Sequence, residues 1–235
     1  MEQIYTIIIN ETFEECEKEE LACPFCRIRD KFEKNELDLI LGASKMEPSV
    51  RIKTNALGFC RDHYGKMLRA GKKLPVALLL ESHFAEVTEN VKTGGLFPSK
   101  SAKGSANYIE KLSQTCYVCG RIESNFEKML GNAVYMWQSD ADFKRLFAKQ
   151  KCFCLPHYSA ILKAAAAGMR SGDLRSFMSS ARNIEERYLK KVSDDLAFFI
   201  KKFDYRYADE PWGDAKDAVE KTIAAITGQQ ETPRS

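Results

Sequence analysis

The sequence predicts a nearly all-α protein built as a tandem duplication of a helical module. Three observations carry this. Apolar residues recur at helical spacing along most of the chain, no segment sustains the period-2 alternation of a strand, and two Cys/His patterns repeat with their flanking residues.

The elements follow in order. Cys16 reads as a small apolar residue on an N-terminal helix. Ile28, Phe32, Leu39 and Ile40 mark a second helix, and Pro48 is well placed to open a short third one. Tyr64, Met67 and Leu68 open the next helix, and after the break at Gly71-Lys72-Lys73 residues 74–91 form another. His83 sits in that apolar stripe as a satisfied core residue. Residues 93–107 hold the Gly/Ser/Lys-rich stretch expected to link the modules. Ile122, Phe126, Met129, Leu130, Ala133, Val134 and Trp137 then share one face of a long helix. A short helix is expected over 140–149 and another opens at Tyr158, Ile161 and Leu162. A much longer one starts near Asp173, with Leu174, Phe177, Ala181, Ile184, Tyr188, Val192 and Phe199 in its stripe. A turn over 204–213, a last helix over 214–227 stopped by Gly228, and a frayed tail over 229–235 complete the chain. The expected organisation is a first module at 1–92, a linker at 93–107, a second module at 108–203 and a C-terminal appendage at 204–235.

Cysteine usage singles out the chemistry. The chain has 8 Cys and 3 His, and most fall in four i, i+3 pairs: Cys23 with Cys26, Cys60 with His63, Cys116 with Cys119, and Cys154 with His157. Such a pair can aim both donors at one ion from a single tight turn. The first Cys pair recurs 93 positions later and the Cys-His pair 94 positions later, so one residue has been inserted between them. At the offset of 94, Phe32-Glu33-Lys34 matches Phe126-Glu127-Lys128, Phe59 matches Phe153 and Tyr64 matches Tyr158. The duplicated Phe-Glu-Lys reads as fold-keeping. Where the first copy has Gly58 the second has Cys152, an additional thiol beside the second site. The duplication favours closure of one site within each copy, although the spacing also permits an exchange in which Cys23 and Cys26 share an ion with Cys154 and His157.

Composition bounds the function. The 235 residues carry a formal charge of +3, from 36 Lys+Arg against 33 Asp+Glu, with 44% hydrophobic and 29% charged residues. That profile is globular rather than disordered. A dedicated nucleic-acid or polybasic membrane protein needs a concentrated positive face, which so small a charge argues against. Apolar runs fall far short of the roughly 18 residues of a membrane span, and the N-terminus lacks the basic region of a signal peptide, so a cytoplasmic location is expected.

The CPFC, GFCxxH, second CxxC and FCxPH motifs, with the closing KFDYRxADEPWG, resemble a family of uncharacterised bacterial proteins defined as a domain of unknown function. The resemblance runs from about Ile7 to Gly228. Some members carry an ABC-transporter substrate-binding label, for which this chain has neither a lipobox nor a βαβ pattern. The resemblance implies a fold and sites, and no reaction.

Three thiolates and one imidazole suit tetrahedral Zn²⁺, and four protein ligands leave no open position for a substrate water. Two structural zinc ions per chain are therefore the leading expectation, with an iron–sulfur cluster or metal-free dithiol chemistry as alternatives. No nucleophile–base or paired-carboxylate constellation points to catalysis. The expected role is a protein-interaction or regulatory module, with an iron–sulfur or thiol redox protein second and a nucleic-acid-binding zinc protein third. The Asp204, Tyr205, Arg206, Asp209 and Trp212 turn is the first choice for a recognition surface. The competing reading makes it a corner between two helices, clamped by Trp212 and the tyrosines packing back on the bundle and by Arg206 bridging acids.

Overall fold

A computed structural model of the chain describes residues 3–19, 21–43, 47–93, 98–207 and 209–228. Among them are eleven α-helices and no strand. These are α1 (Gln3–Lys18), α2 (Pro24–Leu41), α3 (Pro48–Leu57), α4 (Arg61–Arg69), α5 (Lys73–Asn90), α6 (Pro98–Ser113), α7 (Tyr117–Ser139), α8 (Ala141–Ala148), α9 (Leu155–Gly168), α10 (Ser171–Lys201) and α11 (Ala218–Thr227). No helix among the described residues is long and apolar enough to cross a membrane. Helices α6–α10 follow the order of α1–α5, and α11 is appended.

One stretch differs from expectation. Most of the expected linker over 93–107 lies in α6. Pro98 opens this helix, where its missing N–H costs nothing, and Ala and Lys are good helix formers. Its small residues serve close approach: Ser105 is buried, with its hydroxyl 3.4 Å from the Lys92 carbonyl oxygen. What reads as linker composition is thus the counterpart of α1. Residues 94–97 and 229–235, also expected to be irregular, lie outside the described residues. The last helix begins at Ala218 rather than 214, because Gly213–Ala215 form a separate 3₁₀ turn.

Residues 31–125 form one compact unit, and residues 1–30 with 126–235 form the other. The boundaries fall inside α2 and α7. The core of the 31–125 unit gathers Ile40, Phe59, Met67, Leu79, Val118 and Ile122. Phe59 meets Tyr64 edge-on at 5.4 Å between centroids. In the other unit Phe13 lies 5.5 Å from Phe25 and 5.2 Å from Phe143, and Phe153 lies 5.2 Å from both Phe25 and Phe147. Each such buried ring is worth about 1.5–3 kcal/mol of transfer free energy. These clusters fix the turns that carry the cysteines, since Phe25 lies between Cys23 and Cys26 and Phe153 next to Cys154.

Candidate metal centres

All four Cys/His pairs sit at the start of a helix. Cys60 and Cys154 are the N-cap residues of α4 and α9, with extended backbone, and His63 and His157 stand in the first turns. Cys23 and Cys116 directly precede α2 and α7, whose first turns carry Cys26 and Cys119. A helix start offers free N–H groups and the positive end of the macrodipole, both favourable to thiolate sulfur. The Cys119 N–H, for example, donates to Cys116 Sγ at 3.5 Å.

The structure groups these pairs across the repeats. Cys23 and Cys26 meet Cys154 and His157, while Cys60 and His63 meet Cys116 and Cys119, the four donor atoms of each group lying within 4.8 Å of one another. Closure of one site within each copy, which the duplication favours, is therefore not what the fold brings together; the exchanged pairing is. The reason is local. Thr115 donates from its hydroxyl to the Leu57 carbonyl at 2.8 Å and Tyr117 N–H donates to Gly58 O at 2.9 Å, which pins the second CxxC to the loop ahead of Cys60.

In the first group Cys26 Sγ lies 3.6 Å from Cys154 Sγ and 3.3 Å from His157 Nδ1, and Cys154 Sγ lies 3.1 Å from the same nitrogen. Cys23 Sγ is 3.9 Å from Cys154 Sγ and 3.8 Å from His157 Nδ1. In the second group His63 Nδ1 lies 3.1, 3.3 and 3.4 Å from the sulfurs of Cys60, Cys116 and Cys119, and Cys60 and Cys119 are 3.9 Å apart. Regular tetrahedral Zn²⁺, with bonds of about 2.3 Å to sulfur and 2.0–2.1 Å to nitrogen, has edges of about 3.8 Å between sulfurs and about 3.5 Å from sulfur to nitrogen. The donor sets fit one such ion each. No disulfide joins any of the 8 cysteines.

The two centres differ in surroundings. All four residues of the first group are buried, and Phe126 and Phe25 face the His157 ring at 5.0 and 6.2 Å between centroids. Gly228, just past α11, closes over it: a Cβ there would stand 3.9 Å from the sulfurs of both Cys26 and Cys154. Read from sequence only as a helix stop, this glycine brings the C-terminal appendage against the centre. The second group is more open, with Cys60 and Cys116 half-buried and Cys119 exposed.

A residue of function missed by the sequence reading is Glu33. His63 Nε2–H donates to its Oε1 at 2.9 Å, and Lys66 Nζ pairs with its other oxygen. A carboxylate behind a ligating imidazole fixes the ring and its tautomer and raises its basicity. Its signal was the repeated Phe-Glu-Lys. The His63 bond, opposed by burial, holds the Glu33 carboxyl down at about 2. Burial opposes the imidazolium of His63, but the bonds to Cys116 and Glu33 outweigh it and carry the ring up to about 10. Charge is uneven among the sulfurs. Cys116 is held at about 6, because its bond from His63 and nearby backbone N–H groups overcome burial, whereas burial and the Cys116 charge push Cys119 up to about 12. Bonds from Cys23 and Cys26 hold Cys154 far below the usual thiol range, and burial holds Cys23 well above it.

The remaining expected residues are placed as follows. Cys16 and Cys152 are buried and outside both donor groups, and burial pushes the Cys152 thiol up. His83 donates from Nδ1 to the Asn55 carbonyl at 2.7 Å. In the 204–213 turn Arg206 Nε bonds Asp204 at 3.0 Å, Trp212 packs on Phe199 at 5.6 Å between centroids, and Asp209 is exposed. Tyr205 does not pack back; it is 88% exposed.

Compared with known proteins, the chain matches the family of unknown function DUF6062 over residues 1–233, and it belongs to that family. No curated protein and no solved structure matches it.

Proposed function

We propose that this DUF6062 chain is a cytoplasmic zinc protein whose two three-Cys-one-His centres are structural, each holding one Zn²⁺ and tying helix starts from different repeats. The donor tetrahedra carry the reading: their edges of 3.1–3.9 Å suit a single ion, whereas an iron–sulfur cluster interposes several irons and sulfides between its thiolates. Each ion would have four protein ligands and no open position, so its contribution is folding free energy, on the order of 10 kcal/mol of apparent binding. The role we infer is a non-catalytic module that presents a surface to a protein partner. The exposed Tyr205 and Phe203, beside the partly exposed Trp212, support that surface, because aromatic anchors dominate protein interfaces.

Elemental analysis and an absorbance spectrum of protein purified anaerobically without added metal test the reading. The expected result is two zinc per chain and no visible band. Iron with sulfide and a band near 400 nm would overturn it. The open second centre favours one alternative, a thiol redox protein working through Cys116 and Cys119. Under that alternative mild peroxide forms a reversible disulfide there with no loss of fold; under the proposed one, oxidation releases zinc and loosens the 31–125 unit.

A further inference from the structure

A cleft outside both donor groups is built for an anion. It has a volume of about 270 Å³ and is lined by Lys149, Gln150 and Lys151, from the segment between α8 and α9, and by Arg187, Tyr188 and Lys191 of α10. Four of these six side chains are cations and none is an acid. Two of the charges are already met: Lys149 pairs with Glu17 at 3.0 Å, and Lys191 with Asp214 at 2.7 Å and Asp195 at 3.5 Å. The other two are not. Arg187 spends only its Nε, on the Asn183 carbonyl, and neither it nor Lys151 has a carboxylate partner among the described residues.

The floor is held in place by hydrogen bonds. Gln150 is fully buried and its amide nitrogen donates to the carbonyls of Phe13 and Leu146, both at 3.0 Å. That fixes the amide orientation and leaves Oε1 buried with no donor. That oxygen is closed to solvent and so to a ligand, and the polar reach of the floor rests instead on Tyr188, which lines the cleft although only 2% exposed. At the cleft's edge Leu21 holds a φ of 57°, a conformation that a branched residue keeps only where the surroundings impose it. Arg187 also lines a second cleft, of about 410 Å³, with Ser180, Asn183 and Glu186. Ser180, Asn183, Arg187 and Lys191 recur on α10 at i, i+3, i+7 and i+11, so one helix face presents neutral polar groups at one end and cations at the other.

We propose that these two clefts, which share Arg187, bind a small hydroxylated phosphate monoester. Its phosphate sits against Arg187, Lys151 and the Tyr188 hydroxyl, and its hydroxyl groups meet the Ser180–Asn183–Glu186 side. Two open cations match the two charges of a phosphate dianion, and three donors match its three terminal oxygens. Bare phosphate leaves the Ser180–Asn183–Glu186 side unmet; the ester's hydroxyls reach it. Guanidinium is the side chain best shaped for such an oxyanion.

Isothermal titration calorimetry on the full, metal-replete chain tests this, with fructose 6-phosphate, glycerol 3-phosphate, inorganic phosphate, fructose and malate as probes. The expected order is a phosphate monoester first, inorganic phosphate weaker, and no binding of fructose. Arg187→Gln and Lys151→Gln are each expected to weaken fructose 6-phosphate about tenfold or more. Both residues are exposed, so zinc content and circular dichroism should not move. Lys128→Gln, an exposed control in α7, should leave the affinity unchanged. The proposal is overturned if no phosphate binds at millimolar concentration, if malate binds as tightly as the monoesters, if both cleft variants bind as the parent does, or if the control weakens binding equally. Zinc stoichiometry is measured on the same samples, so failure here is distinguishable from failure of the metal reading.

Discussion

At the scale of single residues, the contrast between Glu33 and Glu185 shows how context sets what a carboxylate does. Glu33 is paired on both oxygens and holds His63 against the sulfurs. Glu33→Gln keeps the shape and loses the charge, and should cost roughly 10-fold or more in metal affinity at the second centre while sparing the first. Competition with a graded series of chelators measures this. Glu185 lies on α10, is 4% exposed, and neither of its oxygens has a partner. Burial, reinforced by the Cys154 charge, pushes its carboxyl up to about 7 from 4.5. The folded chain therefore binds more protons than the unfolded chain between those pH values, so stability falls as pH rises from about 4.5 to about 7 and is flat above. Glu185→Gln should remove that dependence, gaining on the order of 2 kcal/mol over the parent at pH 8 and little at pH 5. Thermal melts at the two pH values decide it.

At the scale of elements, the loop from α3 to α4 explains an asymmetry between the repeats. Gly58 has a φ of 58° and a ψ of −156°, a region open essentially only to glycine, and a Cβ there would stand 2.8 Å from His83 Nε2. Its counterpart Cys152 has no positive φ, so the second copy accepts a side chain that the first cannot. Gly58→Ala is expected to lower stability by about 2 kcal/mol or more in denaturant titration, with early loss of metal from the second centre. Most helices were legible in the sequence because their apolar stripes are long: α5, α7 and α10 leave little room for another period. Helix α6 was not legible, since its small residues carry packing and carry no stripe. Glu33 was visible only as a repeated letter, because nothing local says which imidazole it will face. The donor pairs were all legible, as i, i+3 spacing on a helix start is a local property. Their pairing is a tertiary property: either Cys-Cys pair completes a set with either Cys-His pair, so the duplication pointed to closure within each copy, and only the docking of the helices selects the exchange.

At the scale of the whole molecule, the exchange makes the repeats mutually dependent. A chain of residues 108–235 alone carries Cys116 and Cys119 without Cys60 and His63, and Cys154 and His157 without Cys23 and Cys26. It should not reproduce either native centre, although closure within one copy would have let it keep one zinc. Each half expressed separately is expected to be poorly folded by circular dichroism, and the two coexpressed should recover two zinc per pair. A half that folds alone with one tightly held zinc would contradict the exchanged arrangement.

The donor pairs close like nested brackets: Cys60 and His63 with Cys116 and Cys119 on the inside, Cys23 and Cys26 with Cys154 and His157 on the outside. The outer closure joins residues 128–134 positions apart and the inner one residues 53–59 apart, a difference that costs little in loop entropy. Order of synthesis matters more. The first two donor pairs to leave the ribosome are Cys23 with Cys26 and Cys60 with His63, a full tetrahedral set and the wrong one. An ion captured early is captured by that set, and the native pairing then requires it to be surrendered. Zinc present during cell-free synthesis should therefore slow the appearance of the native fold, followed by protease resistance, whereas zinc supplied after the helices have docked should be taken up without delay.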